Sequence, residues 1–169
     1  MDLTPFAALP DDARLWLMAL DAASTREALA PHVEGFLQRW RHKGTQYQAA
    51  WSLLEGRILA IAEPTLATAP SGCAIDGMLR QMAQAAKALG MGLVDAQAVL
   101  VRQAGGLKAL DRAELPDWLA DGRLDGGSPV LDLALLTLGE LRAGRLERPL
   151  SQTWIGRKYK IQAPVDAGA

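Results

Sequence analysis

The chain has 169 residues, half of them hydrophobic, with 18 Lys and Arg against 19 Asp and Glu, one Cys and two His. That length and apolar content fit a single folded domain over residues 1–169 rather than a disordered chain. One Cys excludes a disulfide framework and a Cys-rich zinc site, and two His leave little room for a His-built metal centre, so no metal and no cofactor is expected.

The opening, Met1-Asp2-Leu3-Thr4-Pro5, has neither a basic n-region nor an apolar h-region, and no apolar run reaches membrane-spanning length. The expectation is a cytoplasmic protein with no membrane partner. Residues 1–12 carry Pro5 and Pro10 and read as a loose or partly docked lead-in. The run Arg14–Leu20 reads as a strand, because Asp21 and the Ser24-x-x-Glu27 capping box then announce a helix. That helix places Leu29, Val33, Phe36, Leu37 and Trp40 on one face, with a kink or restart at Pro31. Arg39, Arg41, His42 and Lys43 crowd its last turns, where cations meet the negative end of the dipole, and Gly44 ends it.

A hairpin follows. Tyr47, Ala49, Trp51 and Leu53 alternate with smaller or polar residues, Glu55-Gly56 turns, and Ile58–Ala62 returns as a continuous apolar strand. Ile75, Met78, Leu79, Met82, Ala86 and Leu89 recur at helical spacing, with Gly90 at the end. Ala98–Val101 is a further short buried strand. The order β-α-β-β-α-β predicts an α+β fold, a ferredoxin-like sandwich over 14–103 with strand order 4-1-3-2.

Strands that are apolar on both faces need cover on both, and two helices cover only one. The second cover is expected from a mainly helical extension over 104–160, or from a homodimer or protein partner docking on the sheet face. Ala113–Ala120 is a predicted short helix, Glu140–Arg142 closes another, and 161–169 is a tail.

The motifs exclude more than they assign. No Gly-Lys pair exists, so there is no phosphate-binding loop, and Gly90-Met91-Gly92 is followed by Asp95 where a dinucleotide fingerprint needs glycine. Ser71-Gly72-Cys73-Ala74-Ile75-Asp76 is the most distinctive stretch. Cys73 falls at the start of the second helix, where free N–H groups favour thiolate over thiol. The predicted connections bring His42, Thr45, Glu63 and Cys73 to one rim, so Cys73, His42 and Asp76 are the catalytic candidates, with Ser71, Gly72 and Glu63 as binding candidates. The bland alternatives are a lone Cys acting as a small hydrophobe, and Ser71 or Asp76 serving only the helix terminus.

Residues 141–160 hold six cations, Arg157 among them, against Glu147 alone, with Trp154 and Tyr159 interleaved. Cations beside stacking rings are a single-strand nucleic-acid signal. The Gly56–Ala62 stretch nevertheless lacks the aromatics of an RNA-binding sheet, so nucleic acid is the third reading.

The 71–76 stretch, Phe36-Leu37-Gln38-Arg39-Trp40 and Thr153-Trp154-Ile155-Gly156-Arg157 together resemble a family of small uncharacterised bacterial proteins often labelled "ABC transporter ATPase". The resemblance spans about residues 14–160. It implies a cytosolic bacterial setting and transfers no activity; Arg157, in the basic stretch, is a further binding candidate. The ATPase label finds no phosphate loop to rest on. The family's His before the glycine that follows the helix is displaced, since Lys43 precedes Gly44 and His42 stands one earlier. The residues favour a non-catalytic binding or protein-interaction module, ligand unspecified. A thiol-dependent or redox-sensitive site at Cys73 is the alternative, and weak nucleic-acid binding through the basic stretch the second.

Overall fold

Of the chain, the computed structural model describes residues 1–42, 44–66 and 68–163. The architecture is mixed α and β, built as two units. Met1–Val94 and Leu135–Ala143 form the first, and Asp95–Ala134 with the chain from Gly144 onward the second.

In the first unit, β1 (Arg14–Ala19), β4 (Ala50–Leu54) and β5 (Ile58–Glu63) form an antiparallel sheet in the order β1-β5-β4. The apolar run of β5 becomes the central strand, and all six of its residues are buried. The β4–β5 turn places Glu55 and Gly56 at φ 51° and 66°, a left-handed conformation that Gly56 accepts without strain and that Glu55, with a side chain, adopts at a cost. Helices α1 (Arg26–Leu37) and α2 (Gly72–Ala88) pack on one face. Their core joins Leu29, Val33, Met78 and Met82 to Met18, Trp51, Leu59 and Ile61.

Helix α1 departs from expectation at both ends. Thr25, not Ser24, is its N-cap, accepting from the Ala28 N–H at 3.3 Å. Pro31 sits inside it with no restart, and it stops at Leu37. The chain then forms β2 (Arg41–His42) and β3 (Thr45–Gln46), which pair with each other. The cation run therefore does not lie in the last turns of the helix: Arg39 follows the C-cap Gln38, and the Arg41–His42 backbone belongs to β2, while Lys43 and the His42 side chain lie outside the described residues. The reason is Trp40. Its buried indole needs an acceptor, and it finds the Ala74 carbonyl at 3.1 Å on α2.

The second sheet face carries the N-terminal segment, so the lead-in is docked. Phe6 is fully buried and the Ser52 hydroxyl donates to the Asp2 carbonyl at 2.9 Å. Helix α4 (Leu138–Arg142) holds this segment. Arg142 donates to the carbonyls of Phe6 at 2.8 Å and Leu9 at 3.0 Å, and pairs with Asp11. The cover expected from a partner or from 104–160 thus comes in part from residues 2–9.

The expected fourth strand is elsewhere. Its place beside β1 is taken by two short pieces. Near one end Val94 N–H donates to Ala19 O at 2.8 Å and Asp21 N–H to Gly92 O at 2.9 Å. At the other, Leu15 N–H donates to Leu136 O at 3.0 Å and Leu138 N–H to Ala13 O at 2.9 Å. Residues 95–134, between the pieces, belong to the second unit.

That unit is a four-stranded antiparallel sheet in the order β7-β6-β8-β9, not a mainly helical extension. β6 (Val99–Gln103) meets its nearest partner locally, because Ala104-Gly105 closes a two-residue hairpin into β7 (Gly106–Leu110) and Gly106 takes φ 118°. β8 (Pro129–Leu131) and β9 (Glu147–Pro149) complete it, with the short helices α3 (Leu115–Ala120) and α5 (Trp154–Lys158). Leu110, Leu115, Trp118, Val130, Leu150 and Ile155 make the core. The 161–169 tail is described only to Ala163, and Ile161 N–H donates to Gly156 O at 2.9 Å, so its start is anchored.

Candidate functional site

The rim predicted to collect the site residues exists in the first unit, and an aromatic cluster pins it. Trp40 meets Tyr47 at a tilt with centroids 4.7 Å apart, Phe36 at a tilt at 5.7 Å, and Trp16 edge to face at 5.8 Å. Through its bond to Ala74 O, this cluster ties the first turn of α2 to the segment after α1.

Ser71 is the N-cap of α2, accepting from the Ala74 N–H at 3.3 Å. Cys73 is the second residue of that helix and is exposed, which removes the small-hydrophobe reading. Gly72 and Asp76 are exposed too. A Cβ at Gly72 would meet nothing within 4 Å, so glycine is not dictated there.

Glu63 closes β5 with only 2% exposure, its Oε2 accepting from the Thr65 hydroxyl at 2.9 Å. It lines a cavity of about 120 Å³ with Thr45, Gln46, Tyr47, Gln48, Leu66 and Thr68. Thr45 and Glu63 do therefore converge. The His42 backbone is paired with Thr45, while its side chain lies outside the described part of the structure. Cys73 does not line this cavity. Arg157 belongs to the second unit, where its Nη1 donates to the Gln152 carbonyl at 2.8 Å.

A larger groove, about 650 Å³, runs beside α1 and the start of β4, lined by Pro5, Arg26, Glu34, Leu37, Gln38 and the stretch Gln46–Trp51. A fixed polar network stands in its wall. The Arg26 guanidinium lies 4.2 Å over the Trp51 ring, donates to the Trp51 carbonyl at 3.0 Å, and sits 3.6 Å from Glu34. Glu34 accepts from the Trp51 indole at 3.3 Å. Stacking and hydrogen bonding together hold the guanidinium in one orientation.

These residues carry no local motif. Arg26 and Glu34 are eight apart on one helix, and only the packing of that helix beside β4 brings Trp51 to them. The signal available in the sequence was the strand alternation that put Trp51 on the helix side.

Among the described residues no group of three or more His, Cys, Asp or Glu converges as metal ligands would, and no helix is long and apolar enough to cross a membrane. Comparison with protein-family models, curated proteins and solved structures finds no match to this chain.

Proposed function

We propose that the protein is a non-catalytic binding module that takes an extended peptide segment of another protein in the groove beside α1 and β4. The observation that carries this reading is the position of β4 at the edge of its sheet, next to the groove. An edge strand presents unpaired backbone groups that an added extended segment completes. Arg26 already caps the Trp51 carbonyl, so the added segment pairs along Gln48–Ala50, with the Gln38, Gln46 and Gln48 amides beside it.

The test is peptide selection on the intact protein, followed by amide exchange with the selected peptide bound. Protection gained at residues 48–50, and weaker binding by Arg26→Ala, support the reading. Protection elsewhere, or none, discards it.

The same proposal reads the first unit as a ferredoxin-like layer whose fourth strand is split by the 95–134 excursion. It keeps the bacterial family resemblance and the cytoplasmic setting.

A second reading, a thiol-dependent site, is favoured by the exposure of Cys73 in the first turn of a 17-residue helix. It predicts iodoacetamide alkylation at neutral pH faster than that of free cysteine. A rate equal to or below the free amino acid ends it.

A further inference from the structure

The basic stretch folds around a concavity that the peptide groove does not involve. In the second unit, Gly144, Arg145, Glu147, Arg148, Pro149 and Gln152 line a groove of about 390 Å³. Its one carboxylate is already engaged, since Arg102 Nε meets Glu147 Oε2 at 2.6 Å.

Arg148 is held from behind. Its Nε lies 3.3 Å from Asp132 Oδ2 and donates to the Arg145 carbonyl at 3.3 Å. Asp132 is itself fixed, with 8% exposure, its Oδ1 accepting from the Ala134 N–H at 3.0 Å and its N–H donating to Leu146 O at 2.7 Å. The Nε–H bond to the Arg145 carbonyl, with the Asp132 charge beside it, restricts how the guanidinium turns. It leaves the two Nη groups, the fork that grips an oxyanion, without a partner among the described residues. Arg157 Nη1 donates to the carbonyl of Gln152, one of the lining residues.

We propose that this groove binds a small phosphate-bearing molecule, with the Arg148 Nη groups as its grip and the Gln152 side chain as a further donor. The volume lies in the range of small-ligand pockets. A nucleic-acid strand would instead need a track of cations and stacking rings.

Titration of the intact protein with inorganic phosphate, chloride and acetate at matched ionic strength tests this, by calorimetry and by the shift in Tm. The expected result is a saturable, phosphate-specific signal that Arg148→Lys weakens by about tenfold. Lysine keeps a cation beside Asp132 but has no fork. Gln152→Ala is a second variant, expected to weaken binding less, and Arg123→Lys, outside the groove lining, leaves binding unchanged. Equal response to chloride, equal response to acetate, or indifference to both groove substitutions overturns the proposal. So does an oligonucleotide that binds the same groove with a steep salt dependence and is not displaced by phosphate.

Discussion

The two units solve the problem of burying a sheet by different means. The first packs a central strand buried along its whole length against helices of 12 and 17 residues, with its ion pairs, Arg26–Glu34 and Arg142–Asp11, set outside that core. The second has helices of six and five residues and outer contacts rich in cations. Lys108 and Arg123 lie 4.4 and 4.5 Å over the Trp118 ring, Arg112 donates to the Tyr159 hydroxyl at 2.9 Å, and Arg148 reaches the buried Asp132. Apolar area holds the first. Where elements are too short to supply that area, aromatic rings and charges close the gaps.

The largest effect expected from this contrast is in the first unit. Ile61→Ala empties a fully buried site on β5 and lowers stability by about 2–5 kcal/mol, read by chemical denaturation. A cost below that of Leu115→Ala in the second unit would break the comparison. Gly156→Ala comes next. A Cβ there meets the Leu150 carbonyl and the Ser151 Cα at 2.7 Å, backbone that cannot yield, and the loss is about 1–3 kcal/mol. Thermal unfolding of Gly156→Ala beside Gly77→Ala, where a Cβ meets nothing within 4 Å, isolates this term. The smallest is at the caps. Ser71→Ala and Thr25→Ala each remove one acceptor from a helix start and cost about 1 kcal/mol.

The same contrast explains what could be read from the sequence. β1, β5 and α2 were legible because each carries its pattern over enough residues to show a period, and the Glu55-Gly56 turn fixed the β4–β5 pairing. β8 and β9 have three residues each, too few for any period, so a sheet was read as a helical extension. β6 was legible as a strand but its partners were not, because a two-residue loop at Ala104-Gly105 outcompetes a distant edge. The end of α1 was misplaced for another reason. A run of cations resembles a helix terminus, yet Trp40 had to leave the helix to reach Ala74.

For the site, Ser71, Cys73 and Glu63 fell where local pattern put them, and Thr45 joined Glu63 as the connections required. The Arg26–Trp51–Glu34 network and the Asp132–Arg148 brace stayed hidden. Each joins residues from separate elements, and no spacing announces such a pair.

The divided seat beside β1 also sets an order of assembly. During synthesis from the amino terminus, Gly92–Val94 emerges long before Leu136 and Leu138, with the forty residues of 95–134 between them. A nascent chain halted before Leu135 would therefore carry β1 with half its outer border bare. Sealing that border has to wait until β6, β7 and β8 have already left the ribosome.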